Sequence, residues 1–307
     1  MTTDTWRFGS RSTADDVLAG RDLTGRTIVV TGANTGIGFD TARALAKAGA
    51  RTIFACRGER EGNDAVARVR GSHPRAAAEA RVLDLASFAS IGKFNAELDA
   101  AKVDALVCNG GLSISSWADT EEGFERTVGV CHIGHFLLTR LLMPRLLASG
   151  APRVVMVASE SHRMPARLDF DRLPQTRERF NGLVAYGQAK LCNVLMAKSL
   201  QRKYGARGLT ACSLHPGTLV TTQIGRNSTV VGWLVKLVSP FAKTPAQGAA
   251  TSVVGVVHEP AAQIAGEYLM QCRPARSSKE SNDPAVAERL WAASEAWIAP
   301  ANAPPWP

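Results

Sequence analysis

The stretch RTIVVTGANTGIG, from Arg26 to Gly38, decides the fold. A β-branched run suited to a buried strand ends in a glycine turn. IGFDTARALAKAGA (37–50) follows, with Ile37, Ala44, Leu45 and Ala48 on one face of a helix. Gly32, Gly36 and Gly38 are spaced for a tight turn, a close approach of backbone to ligand, and tight packing of helix on strand. The free N–H groups and positive dipole end of that helix favour an anion, and a pyrophosphate suits them. A glycine pattern alone is weak, but between a strand and a helix it is specific.

The same alternation continues outward. RTIFACR (51–57), ARVLDL (80–85), VDALVCN (103–109), PRVVMVAS (152–159), GLTACSLHPG (208–217) and AGEYLM (265–270) read as strands. EGNDAVARVR, FASIGKFNAEL, a long segment near 121–148 and another near 184–204 read as helices. Near-continuous apolar strands require both sheet faces to be covered. The pattern predicts an α/β fold: one doubly wound parallel sheet of Rossmann type, with about seven strands and helices on both faces. Residues 1–20 are expected to be an N-terminal arm, 21–298 the single dinucleotide-binding domain, and 299–307 a Pro-rich tail without regular structure.

Composition narrows the function classes. The 307 residues are 45% apolar and 21% charged, ordinary for a globular protein. The net charge of +9 comes from scattered bases, and the densest cluster, RMPARLDFDRLPQTRER, alternates with acids. A solvated face is therefore expected, and no nucleic-acid partner. Cysteines at 56, 108, 131, 192, 212 and 272 form no C-x-x-C, the pattern of reduced, mostly buried thiols. With no apolar leader at the N-terminus and no run of the roughly 18–20 apolar residues that span a bilayer, a cytoplasmic protein without a transmembrane segment is expected.

The end of the second strand sets dinucleotide choice: a carboxylate there suits the ribose hydroxyls of NAD, an arginine the 2′-phosphate of NADP. FACRGER places Arg57 at that point, so NADP (NADPH) is favoured over NAD, although an ordinary surface arginine would look the same. AYGQAK (185–190) puts Tyr186 and Lys190 on one helix face. An ammonium beside a phenol favours phenolate and prepares it for proton transfer. Ser159, at the end of the strand before that helix, can hydrogen-bond an alcohol or carbonyl oxygen. Singly these are also a capping serine and a snorkelling lysine; their order after a dinucleotide turn makes coincidence improbable.

TGANTGIG, the series Ser159…Tyr186-x-x-x-Lys190 and HPGT (215–218) together resemble the short-chain dehydrogenase/reductase family over residues 20–298. GRDLTGRTIVVTGANTGIGFDTA, LVCNGG, VASESHR and KLCNVL are similar to its retinol dehydrogenase-like group. The resemblance implies Tyr186 as general acid/base, Lys190 as its helper and a ribose ligand, and Ser159 as the group that orients the substrate oxygen. It further implies cofactor contacts from Gly32, Asn34, Thr35, Gly36, Ile37 and Gly38, from Asp84 and Leu85 at the adenine, from Asn109, Gly110 and Gly111, and from Pro216, Gly217, Leu219 and Thr221 at the nicotinamide end. Ser159 and Tyr186 are 27 apart, longer than the ordinary family spacing and in keeping with that group.

One departure lies in VGVCHIGHFLLT (128–139), where the family's helix reads like VNHLGHF. The family's Asn supports a relay water behind the lysine, and Cys131 stands in its place. A thiol cannot copy an amide's bonding. Cys131 and His135 share a helix face, which allows a nucleophile pair, but two or three such residues on one core helix are too few for a metal, so none is expected. The expected reading is a helix packed on the sheet with its relay position altered. NSTVVGWLVKLVSPFAKTPAQGA (227–249), carrying Val231, Trp233, Leu234, Leu237, Val238 and Phe241, is expected to close over a small-molecule substrate, a bulky apolar alcohol or carbonyl of retinoid, steroid or aliphatic aldehyde type. A helix covering the sheet edge, a homo-oligomer contact, or a peripheral membrane contact near 230–241 are the other readings. The alternative to an enzyme is a nucleotide-bound regulatory or scaffold protein in which Cys131 slows turnover.

Overall fold

The computed structural model describes residues 6–217 and 243–307. Its strands are β1 (Thr27–Thr31), β2 (Arg51–Cys56), β3 (Ala78–Val82), β4 (Ala105–Cys108), β5 (Arg153–Val157), β6 (Thr210–His215), β7 (Tyr268–Met270) and β8 (Arg273–Ala275). They form one sheet in the order β3-β2-β1-β4-β5-β6-β7-β8. All neighbours pair in parallel except β7 and β8. The order reverses between β1 and β4, so the carboxyl ends of those strands open a crevice of the kind that binds dinucleotides.

The helices are α1 (Ala14–Leu18), α2 (Gly36–Lys47), α3 (Glu59–Ser72), α4 (Phe88–Glu97), α5, α6 (Gly182–Tyr204), α7 (Pro245–Val257) and α8 (Pro284–Ile298). Here α5 denotes three contiguous pieces: Arg126–Val128, a π-helical turn at Gly129–Ile133, and Gly134–Leu147. Every residue of β1, β4, β5 and β6 is buried, because helices cover both faces. One face packs on α4, α5, α6 and α8 through Leu106, Val154, Met156 and Ala211. The other packs on α1, α2, α3 and α7 through Val30, Val107, Val155 and Leu214.

Three boundaries differ from the expected ones. The strand expected at 80–85 ends at Val82 because the Asp84 carboxylate accepts from Ala86 N at 2.9 Å, a local turn that competes with the sheet. The helix expected from 121 starts at Arg126, where buried Glu125 caps it, its carboxylate accepting from Thr127 N (2.6 Å) and Val128 N (2.9 Å). An eighth strand follows β7 through a turn at Gln271 and Cys272, both with positive φ (53° and 66°). Such a turn usually carries Asn-Gly. Here Thr251 Oγ1 accepts from Cys272 N at 3.2 Å and fixes it.

The first and last described segments are packed down. Asp15 of α1 bonds Arg43 (2.6 Å) and Lys47 (2.8 Å) of α2, and the guanidinium above all holds its carboxyl down at about 2. At the other end Arg140 donates to the carbonyls of Pro304 (2.6 Å) and Ala303 (2.9 Å). That brings Trp306 against Trp291 (ring centroids 4.8 Å), Phe136 (5.3 Å) and Tyr204 (5.8 Å).

Trp306→Ala removes a half-buried indole and should cost about 2 kcal/mol, seen as a Tm lower by about 3 °C in thermal unfolding. An unchanged Tm would show that the tail does not hold α5, α6 and α8 together.

Candidate active site

The dinucleotide turn is built by backbone contact. Gly32 and Gly36 have φ of 63° and 59°, a region that glycine adopts without strain. A Cβ on Gly38 would lie 2.3 Å from both Asn109 Nδ2 and the Gly32 carbonyl oxygen, so no side chain fits there. Thr35 starts α2 without a side-chain cap, and no acid sits in the first turn. The amides of that turn are therefore available to an anion. Asn34 and Ile37 are half-buried beside the turn and Thr35 is exposed.

Thr31 joins this turn to the next. Its hydroxyl accepts from Asn109 N (2.9 Å) and Gly110 N (2.8 Å), and Asn109 Nδ2 donates to the Thr31 carbonyl at 2.9 Å. Gly110 packs so closely on Leu85 that a Cβ would lie 2.9 Å from Leu85 Cδ1. Asp84 is half-buried next to it. Arg57 is exposed just past β2 and makes no hydrogen bond or ion pair with the described residues, which leaves its charge available to a phosphate.

The side chains expected to carry the chemistry lie near the ends of β4 and β5. Asn181 caps α6, accepting from Leu183 N and Val184 N at 3.1 Å each. That helix carries Tyr186, half-buried, and Lys190, 4% exposed. Lys190 Nζ donates to the Val157 carbonyl at 3.0 Å and lies 5.4 Å from the centre of the Tyr186 ring. Asn193 Nδ2 shares the Val157 carbonyl at 3.3 Å. A Cβ on Gly111 would be 3.4 Å from Lys190 Nζ and 3.2 Å from Cys131 Sγ, so these groups meet there. Two residues past Val157, half-buried Ser159 accepts from Ser161 N at 3.2 Å. Gly187 presses on the Ser161 carbonyl, where a Cβ would be 3.0 Å away, and so seats the Ser159 loop beside Tyr186. Pro216 and Gly217 follow β6, and Leu219 and Thr221 lie outside the described residues.

Cys131, His132 and His135 do not converge. The Cys131 thiol points at the Leu112 carbonyl (3.6 Å). His132 Nε2 bonds Ser294 Oγ of α8 at 2.8 Å, and His135 faces Thr31. Burial pushes both imidazoles down, to about 3 and about 4, so each is neutral near pH 7. Of the segment 227–249, only 243–249 is described, and Pro245 onward belongs to α7, packed on α1 and α2. Among the described residues no helix is long and apolar enough to cross a membrane.

Sequence reading missed the hub residue Thr31, the α6 residue Asn193 and the contact of His135 with β1. Residue type gives no sign of them, since each acts through a tertiary partner.

A model of short chain dehydrogenases matches residues 26–169. The WW domain-containing oxidoreductase of Danio rerio is 39% identical over 97% of this chain and 74% of its own length. The chain belongs to the short chain dehydrogenase family. Retinol dehydrogenase 12 of Mus musculus is 38% identical over 88% of this chain and 85% of its own. Among solved structures, an uncharacterized protein of Mycobacterium paratuberculosis superposes with a TM-score of 0.76 at 31% identity, covering 94% of this chain and 97% of that one. The Pseudomonas aeruginosa RhlG/NADP active-site complex shares the fold, with a TM-score of 0.63 at 22% identity over 81% of this chain and 95% of that one. Membership makes the chain an oxidoreductase of a family that binds NAD(P).

Gly38→Ala should weaken NAD(P)H binding by at least about tenfold, because the methyl collides with the Gly32 carbonyl and Asn109 and distorts the glycine turn. Fluorescence titration measures this, and an unchanged Kd would place the dinucleotide elsewhere.

Proposed function

We propose that this chain is an NADP(H)-dependent oxidoreductase that interconverts an alcohol and a carbonyl on a bulky apolar substrate of retinoid, steroid or aliphatic aldehyde type. The observation that carries this reading is the anchoring of the Lys190 ammonium on the Val157 carbonyl, beside both Gly111 and the Tyr186 ring.

The cradle fits a dinucleotide: glycines where a Cβ would collide, an uncapped helix start, and a free arginine past β2. Gly32, Asn34, Thr35, Gly36, Ile37 and Gly38 would hold the pyrophosphate side, Asp84 and Leu85 the adenine, and Arg57 the 2′-phosphate. Asn109, Gly110, Gly111, Pro216, Gly217, Leu219 and Thr221 would line the rest. When bound, this group supplies or accepts a hydride. In the reducing direction the Tyr186 hydroxyl gives its proton to the carbonyl oxygen, and in the oxidising direction it takes the alcohol proton. The Lys190 charge favours the phenolate that remains and binds the ribose of the nicotinamide. The Ser159 hydroxyl donates to the substrate oxygen and fixes its orientation.

Cys131 leaves room for this chemistry. Its thiol turns to the Leu112 carbonyl, while its own main-chain carbonyl accepts from the His135 ring at 3.1 Å. A relay that uses that carbonyl does not need the family's amide. The apolar substrate class is supported by exposed Leu183 (61%), Met164 (49%) and Val184 (43%) near Tyr186, and by the similarity to retinol dehydrogenase 12. Six buried free cysteines support a reducing compartment, the cytoplasm.

NADPH consumption against a panel of apolar aldehydes and ketones tests the reading. Tyr186→Phe should lower kcat at least ~100-fold with NADPH still bound. No turnover by the natural chain, restored by Cys131→Asn, would instead favour a nucleotide-bound regulatory protein. Arg57→Asp should reverse the preference from NADPH toward NADH, and an unchanged affinity ratio would refute the NADP assignment.

A further inference from the structure

We propose that His135 is a positioning residue for the Tyr186–Lys190 pair, tying the dinucleotide turn through Thr31 to the main chain of Cys131 beside Lys190. The kinetic part of this rests on the oxidoreductase reading above.

Counting protons fixes the direction of every bond. A threonine hydroxyl has two acceptor lone pairs and one proton. Thr31 Oγ1 accepts from Gly110 N–H at 2.8 Å and from Asn109 N–H at 2.9 Å, the latter shared with the Val107 carbonyl at 3.0 Å. The Cys131 carbonyl, 3.1 Å from His135 Nδ1, can only accept, so the neutral ring leaves Nε2 to accept the Thr31 proton. His135 Nε2 lies 2.9 Å away and the Val107 carbonyl 3.4 Å, so the ring nitrogen is the better acceptor. With Nε2 accepting, the proton of the neutral ring sits on Nδ1 and is donated to the Cys131 carbonyl at 3.1 Å. The opposite tautomer would aim a third N–H at a filled hydroxyl and set a bare nitrogen against a carbonyl oxygen. Both arrangements are costly where His135, Thr31 and Cys131 are all 0% exposed.

The chain of donors thus runs from the Asn109 and Gly110 amides through Thr31 and His135 to the π-helical turn. Two glycines let that turn press into place. A Cβ on Gly129 would lie 2.3 Å from Thr120 Cγ2, and one on Gly134 would lie 2.3 Å from the Leu85 carbonyl oxygen. Asn109 and Gly110 precede Gly111, against which Cys131 Sγ and Lys190 Nζ both pack. Movement of the cofactor-lining turn is therefore passed to the wall beside Lys190 by side chains with no freedom to rearrange. His132 serves a different end: Ser294 Oγ spends its proton on the Leu290 carbonyl (2.8 Å), so His132 donates from Nε2 and ties α5 to α8. The two histidines therefore hold opposite tautomers.

Long-range 1H–15N correlation spectra of the 15N-histidine-labelled full chain read this directly, without cofactor. The expected result is a neutral Nδ1–H tautomer for His135 and Nε2–H for His132. The kinetic arm compares His135→Phe, which keeps volume but neither hydrogen bond, with His135→Gln, which can both accept and donate. His135→Phe should lower kcat and NADPH affinity by about tenfold each with little change in the KM for the aldehyde, and His135→Gln should recover most of both. Thr31→Val should resemble His135→Phe, and the double variant should be no worse than either single one. An Nε2–H tautomer at His135, or phenylalanine and glutamine variants with equal kcat and NADPH affinity, would overturn the proposal. An inactive natural chain that still shows the Nδ1–H tautomer and the variant-dependent NADPH affinity would support the link and remove the oxidoreductase reading.

Discussion

The approach of the β1 turn to the β4 turn is the constraint on which the rest of the structure depends. Thr31, Gly32 and Gly38 meet Asn109 and Gly110 with no space for another methyl group, and the Thr31 hydroxyl satisfies the buried Gly110 amide and shares the Asn109 amide with the Val107 carbonyl. This contact sets the width of the crevice at the switch point of the sheet. It also fixes where Gly111 and hence the Lys190 ammonium stand. In the proposed function, nucleotide binding and proton chemistry are therefore properties of one packed corner rather than of two sites.

The electrostatics of that corner follow from burial. Lys190 is nearly inaccessible and has a carbonyl partner at 3.0 Å, which offsets part of the cost of keeping a charge out of water. His135 lies close enough to feel the ammonium, and desolvation with that repulsion keeps its ring neutral. The start of α2 after the glycine turn carries no acid, so its dipole is left uncompensated for an anion. One cation inside, one at the rim past β2 and one helix dipole suit a ligand with negative charge along its length.

Much of the fold was legible because the central strands are buried on both faces and read as apolar runs. β1, β2, β4, β5 and β6 fall within two residues of their expected places, and the sheet has eight strands against about seven expected. β8 was not legible, since its turn uses Gln271 and Cys272 where glycine or asparagine would have signalled a hairpin. The start of α5 was hidden because its cap, Glu125, looks like one more acid in an acidic stretch. At the candidate site, the residues proposed to carry the chemistry stand out by type and spacing: Gly32, Gly36, Gly38, Ser159, Tyr186 and Lys190. The parts that hold them, Thr31, Asn193 and the π-helical turn, do not, because their roles are set by partners far away in sequence. The two histidines of VCHIGHF sit on one core helix, yet one faces α8 and the other β1.

Transfer of isotope tests the account most directly. The full chain is given NADPH carrying deuterium at C4 of the nicotinamide, together with a long-chain apolar aldehyde, and the alcohol is analysed by mass spectrometry. The account predicts one deuterium on the carbinol carbon, and much faster transfer from NADPH than from equally labelled NADH. Bound NADPH with no label transferred to any aldehyde or ketone tried would contradict it.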